Sequence, residues 1–143
     1  MSVAKILLVD DETAFVDTMV KRLTLREMDV ASAYSGEEAL EKLTANARYE
    51  AVVLDVKMPG MDGIETLKEI KKRHPLIEVI MLTGHATVES AIEGMKMGAF
   101  DYLMKPCDID ALVEKVKEAA AKKRRHDEKI IEAEMRRITS QKA

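Results

Sequence analysis

Five short apolar runs, each bounded by polar residues and separated by stretches of helical periodicity, constrain this chain more than any other feature. The first, Lys5-Ile6-Leu7-Leu8-Val9, is nearly continuous, as a parallel strand buried on both faces must be. Asp29 to Ala33 is a weaker second run, and Ala51-Val52-Val53-Leu54, Val79-Ile80-Met81-Leu82 and Phe100 to Met104 complete the set. Between the runs the period lengthens. Phe15, Met19, Val20 and Leu23 recur at helical spacing up to about Arg26. Ala39, Leu40 and Leu43 do so behind Ser35, with Glu38 three residues on in a capping-box pattern. Ile64, Leu67 and Ile70 follow until His74-Pro75, since the residue before a proline leaves helical geometry. Thr87 caps a fourth helix that Gly98 stops, and Asp108 opens a fifth with Ile109, Leu112, Val113 and Val116 on one stripe. Strands alternating with helices in this way specify an α/β fold with a doubly wound, five-stranded parallel sheet, and right-handed crossovers limit its topology.

At 143 residues the chain is one domain long, enough to bury a core without disulfides. Its 47% hydrophobic and 34% charged residues are the balance of a globular protein, and with aromatics at 3% the core must be aliphatic. A single cysteine, Cys107, excludes an internal disulfide and fits a reducing compartment, so the cytoplasm is the expected location. No apolar run approaches the roughly 18 residues of a membrane span, and Met1 to Lys5 lacks the regions of a signal peptide, so no membrane partner is expected. The net charge of −3 is uneven: Lys122 to the end is basic and leaves about −7 for the rest.

In an open parallel sheet, ligands gather in the crevice beyond the carboxyl ends of the strands. Asp10-Asp11, Asp55, Thr83 and Lys105 each stand where an apolar run ends, so residues far apart in sequence are expected in one pocket. Clustered carboxylates repel unless a hard cation holds them, and Mg²⁺ favours such oxygen ligands. With a lysine and a hydroxyl added, the pocket can hold a phosphoryl group, and Asp55 becomes a candidate phosphoacceptor. A lone Asp after a strand is more often a helix cap or turn former, and Tyr102 or Lys105 alone would read as core or solvated strand end. The full constellation reverses those odds.

With Met58-Pro59-Gly60-Met61-Asp62-Gly63 behind Asp55 and Tyr102-Leu103-Met104-Lys105-Pro106 closing the fifth strand, the chain resembles a response-regulator receiver domain of two-component signalling over about Lys5 to Ala121. The resemblance implies a flavodoxin-like sheet in the order 2-1-3-4-5, here with an extended C-terminal helix. It also implies that Asp55 takes a phosphoryl group from a sensor histidine kinase or phosphotransfer protein. The implied Mg²⁺ ligands are Asp11, Asp55, the Lys57 backbone carbonyl and, through water, Asp10. Thr83 and Tyr102 become the switch pair that couples the site to an output face for a downstream target protein, while Lys57 and His85 stand at positions that tune phosphoryl lifetime. Such a protein is not an enzyme in the usual sense, because it catalyses only its own phosphorylation and dephosphorylation.

The run from Thr83 through Tyr102 looks most like receivers of enhancer-binding transcription activators, yet no Walker-type glycine loop occurs and the chain ends at Ala143. A stand-alone receiver at 1–121 with a basic helical extension at 122–143, or a regulatory fragment of such an activator, are the two expectations. The basic run Lys122 to Arg125 lacks aromatic interleaving and meets Asp127 and Glu128 at once, so it reads as a solvated helix face and not as a nucleic-acid site. His74 and His126 read as solvent-facing, and Cys107 as packing. Beyond the basic run, Ile130, Ile131, Met135 and Ile138 resume an apolar edge, so the last helix continues or bends there. That edge can form a homodimer or fold back onto the domain. Hydrolase readings lack support: there is no serine nucleophile elbow, and Lys57 stands where an aspartate phosphatase places a second Asp.

Overall fold

The computed structural model, which describes residues 3–58, 60–84 and 87–142, sets the five runs side by side in one parallel sheet of order β2-β1-β3-β4-β5. Strands β1 (Lys5–Val9), β2 (Asp29–Ala33), β3 (Ala51–Leu54), β4 (Glu78–Thr83) and β5 (Asp101–Met104) alternate along the described residues with helices α1 (Thr13–Leu25), α2 (Gly36–Ala45), α3 (Gly63–Arg73), α4 (Val88–Lys96) and α5 (Ile109–Lys142). This is the flavodoxin-like doubly wound arrangement expected from the sequence, with α5 extending well past the sheet.

Period-two alternation sorts each central strand's side chains between two cores. Ile6, Leu8, Val53, Ile80 and Leu82 pack with Val16 and Leu23 of α1 and with Leu112 and Val116 of α5. Leu7, Val9, Val52, Leu54, Val79 and Met81 pack on the opposite face with Leu43 of α2 and with Leu67 and Ile70 of α3. Strands β1, β3 and β4 are therefore buried on both faces, which is why they read as continuous apolar runs. The edge strands β2 and β5 are mostly half-buried, which is why Asp29 to Ala33 reads as weak.

The helix ends follow the sequence signals with one difference. Ser35 Oγ accepts from the Glu38 amide, but the Glu38 carboxylate accepts from the Tyr34 amide at 2.8 Å and not from Ser35, so the expected box at α2 is displaced by one residue. The reciprocal box forms at α4, where Thr87 and Ser90 cap each other's amides, Ser90 acting where Glu or Gln is usual. Gly98 closes α4 at φ +100°, with the amides of Gly98 and Ala99 returning to the carbonyls of Met95 and Gly94.

Helix α5 continues unbroken through the basic run and is about 50 Å long at 1.5 Å per residue. The basic run is not simply solvated. The Arg124 guanidinium holds both oxygens of Glu50, with Nη2 2.9 Å from Oε1, and Nη2 also donates to the Val3 carbonyl at 2.7 Å. Lys122 lies 3.3 Å from Glu78, a carboxylate only 3% exposed that Lys71 also approaches, and Lys123 pairs with Asp127 at 2.7 Å. Glu50 and Glu78 stand where β3 and β4 begin, so α5 is tied to the amino ends of two strands. Beyond Asp127 the helix leaves the body, and Ile130, Ile131, Met135 and Ile138 are all exposed.

Arg124→Ala should release this tie. With Arg124 half exposed, the expected loss of stability is small, about 0.2–1 kcal/mol in a urea titration. Amide exchange over residues 121–128 should nevertheless rise sharply, because a helix without tertiary support is marginal in water. Unchanged exchange there would show that the helix needs no such anchor.

Candidate functional site

Strand register builds the site. Val9 pairs with Leu54, and the Asp55 amide donates to the Val9 carbonyl at 3.0 Å, so Asp10 and Asp55 emerge side by side from adjacent strands. On the other side of β3, Leu54 pairs with Met81, and β4 runs on to Thr83. Thr83 pairs with Met104, and the Lys105 amide donates to the Thr83 carbonyl at 2.9 Å. The side chains of Asp10, Asp11 and Asp55 each offer an oxygen within 4.8 Å of the others. Asp10, Asp55 and Thr83 are buried, while Asp11 is more open to solvent.

The Asp10 carboxylate is fully engaged: Oδ2 accepts from Lys105 Nζ at 2.5 Å and Oδ1 accepts from the Glu12 amide at 3.0 Å. Lys105 also lies 3.5 Å from Glu12, and its ammonium sits over the Phe15 ring, 3.9 Å from the centroid. Asp55 differs. Among the described residues its Oδ1 is buried with no hydrogen-bond partner, a costly state for a carboxylate oxygen. Burial pushes the Asp10 carboxyl above its ordinary range and Asp55 adds to the rise, outweighing the Lys105 and Glu12 hydrogen bonds that oppose it. For Lys105, burial acts to lower the pKa, but the hydrogen bond and charge of Asp10, with Asp55 and Glu12, raise it and keep the ammonium charged. The Asp10 shift is mainly the cost of burying a carboxylate, whereas the Lys105 shift reflects the negative charge gathered around one cation. An acceptor-only oxygen cluster with an unsatisfied member fits a hard divalent cation such as Mg²⁺.

The loop behind Asp55 is set by close packing. The Gly63 amide donates to the Val56 carbonyl at 2.7 Å, and a Cβ on Gly63 would lie 2.2 Å from the Asp55 carbonyl oxygen. Asp62 caps α3 by accepting from the Glu65 amide at 2.9 Å. Lys57 is exposed two residues beyond Asp55, and His85 and Pro59 lie outside the described residues. Tyr102 is set against α4 and away from the carboxylates: its hydroxyl is 2.9 Å from Ser90 Oγ, and its ring packs by Gly94. The contacts of Glu12 and Phe15 with Lys105 were not singled out in the sequence, where Phe15 reads only as an apolar helix position. His74 also differs from its reading, being half-buried with Nε2 unpartnered at the end of α3.

Two outcomes follow from this packing. Because the folded chain holds the Asp10 proton more tightly than the unfolded chain, that group's contribution to stability is present below the unfolded carboxyl pKa of about 4 and is lost as pH rises through the raised folded value. Melting temperatures measured without divalent metal should therefore decline over that window in the wild type and stay flatter in Asp10→Asn; parallel profiles would contradict the assignment. Gly63→Ala should cost about 1–3 kcal/mol, since the added methyl meets backbone and not a flexible side chain. A denaturation midpoint equal to the wild type would show that the α3 amino end can move away at no cost.

Comparison with known proteins agrees with this architecture. The description "Response regulator receiver domain" matches residues 6–117. Over 116 residues the chain is 42% identical to the transcriptional regulatory protein ZraR of Salmonella typhimurium, covering 81% of this chain and 26% of that protein. It is 40% identical over 106 residues to the DNA-binding transcriptional regulator NtrC of Klebsiella pneumoniae, covering 74% and 22%. The chain thus spans about a quarter of the length of these curated relatives. A crystal structure of a response regulator receiver domain protein from Clostridium thermocellum superposes with a TM-score of 0.81 at 38% identity, covering 85% of this chain and 97% of that one. With the sheet order, the acidic strand ends and these likenesses in agreement, the chain belongs to the response-regulator receiver domains of two-component systems.

Proposed function

We propose that Asp55 accepts a phosphoryl group from the phosphohistidine of a sensor kinase or phosphotransfer protein, in a Mg²⁺-dependent reaction that switches a protein-interaction surface. The observation that carries this reading is the buried, unpartnered Oδ1 of Asp55 beside Asp10, Asp11 and a charged Lys105. An Asp55 oxygen attacks phosphorus in line, the new O–P bond forms as the N–P bond of the donor breaks, and imidazole leaves with the electron pair. Lys105 turns its ammonium to an equatorial phosphoryl oxygen, and the Thr83 hydroxyl hydrogen-bonds another. Asp11, Asp55, the Lys57 carbonyl and, through water, Asp10 would hold Mg²⁺, which when bound neutralises charge on the transferring group. Lys57 and His85 stand at the positions that tune the lifetime of the phosphoryl group in this family. The chain acts as a phosphoacceptor and catalyses only its own phosphorylation and dephosphorylation, in the cytoplasm; among the described residues no helix is long and apolar enough to cross a membrane.

The switch runs through Thr83 and Tyr102. As Thr83 is drawn toward the phosphoryl group it frees space on β4, and Tyr102 enters that space by giving up its 2.9 Å contact with Ser90. Helix α4 then loses a tether on its sheet-facing side, opposite the face where Val88, Ile92 and Met95 are exposed. A downstream target protein reads that face together with β5 and α5.

A second reading is favoured by the exposed strip Ile131, Met135 and Ile138 and by the length of the relatives, which are named as transcriptional regulators. In it the receiver, residues 1–121, regulates a longer activator, and the extension at 122–143 pairs two chains as a homodimer without contacting nucleic acid itself.

Acetyl phosphate with Mg²⁺ should add one phosphoryl unit to the intact mass of the wild type and none to Asp55→Asn; equal labelling of both would refute the assignment. Asp11→Ala should lose most Mg²⁺ affinity in a titration, and an unchanged affinity would place the metal elsewhere. For the second reading, sedimentation of the full chain should show a dimer that Ile131→Glu with Ile138→Glu dissociates. Monomers at every concentration and phosphorylation state would end it.

A further inference from the structure

We propose that Phe15 is a positioning residue for phosphoryl transfer, holding the Lys105 ammonium over the pocket when it leaves Asp10; this rests on the phosphoacceptor reading of Asp55. Among the described residues three groups hold Lys105 Nζ: Asp10 at 2.5 Å, Glu12 at 3.5 Å, and the Phe15 ring, with its centroid at 3.9 Å. The first contact must weaken when Asp10 turns to other positive charge in the pocket. The second pulls the wrong way, because Glu12 is 61% exposed and draws the ammonium toward solvent. Only the ring is indifferent to the exchange. Its negative face attracts the cation, but it carries no formal charge that a phosphoryl group would repel or a metal would capture. An ammonium has three N–H donors, so contact with one face leaves donors for the equatorial oxygen.

The placement of the ring is fixed. Phe15 lies on the first full turn of α1 and packs against the core formed by α1, α5 and the sheet. With Leu82, Pro106 and Cys107 it lines a groove of about 150 Å³ beside Lys105. The lining is mainly apolar, with Thr18 and Arg22 also on it, and apolar contact along the lysine stem strengthens its attraction to developing negative charge. A leucine at position 15 would fill the same core position without the ring's electrostatic face.

The test uses the full chain with acetyl phosphate and saturating Mg²⁺, reading the labelling rate of Asp55 by intact mass. Phe15→Leu should slow labelling about fivefold, Phe15→Tyr should remain near the wild type, and Mg²⁺ affinity should be unchanged in both. Against a Lys105→Gln background, Phe15→Leu should produce no further slowing. In the metal-free protein, the Lys105 ε-methylene NMR signals should be shifted upfield by the ring in the wild type and in Phe15→Tyr, and should return to ordinary positions in Phe15→Leu. Labelling of Phe15→Leu at the wild-type rate, or equal slowing in the Lys105 and Lys105→Gln backgrounds, overturns the proposal, the latter by showing a packing role alone. A wild type that takes no label at Asp55 overturns the phosphoacceptor reading and this proposal with it.

Discussion

The pairing of β1 with β3 forces two carboxylates, Asp10 and Asp55, into neighbouring buried positions, and the rest of the site depends on that enforced repulsion. Removing an ionised carboxylate from water is costly, and a second one alongside makes the cost larger. The chain offsets the cost for Asp10 with Lys105 and the Glu12 amide, and leaves Asp55 Oδ1 without a partner. The resting pocket is therefore asymmetric. One acid is neutralised internally, while the other keeps an open valence for whatever positive or electrophilic group enters. The same sheet hydrogen bonds that stabilise the fold thus hold that oxygen in an unfavourable state.

The lysine is what lets a cluster of this sign exist in a folded protein with its ligands absent. It arrives on β5, the strand farthest from β1 among those that border the pocket, and it follows the edge of the sheet. Because β5 carries Tyr102 and borders α4, the group that neutralises the pocket directly follows the short strand whose tyrosine leans on the exposed helix. Only Leu103 and Met104 lie between the two in the chain.

Much of this was legible in sequence because the fold relies on strong periodic signals. The central strands announce themselves by apolar continuity, and Asp10, Asp55, Thr83 and Lys105 are placed by the rule that strand ends of a parallel sheet share one crevice. Their convergence needed no side-chain detail. What sequence could not supply was the partner of each charge. Glu50 and Glu78 look like ordinary polar residues before a strand, and only the course of α5 shows that they receive Arg124 and Lys122. The contact of Phe15 with Lys105 depends on the rotation of α1 about its axis, which an apolar stripe defines too loosely to place one ring over one ammonium. The displaced box at Ser35 turns on the reach of a single carboxylate, below what a four-residue pattern can specify.

Helix α5 starts four residues after Lys105, passes under the sheet, and is gripped at the starts of β3 and β4 by Arg124 and Lys122. It therefore touches both ends of the domain as one rod, with the remainder from Asp127 to Lys142 projecting about 24 Å beyond the grip. A rod held in this way converts angle into distance. A tilt of about ten degrees at the grip would carry the free tip through about 4 Å, more than a side-chain rotation delivers at the pocket itself. Geometry alone thus magnifies a small rotation at the grip into a displacement at the far end of the helix.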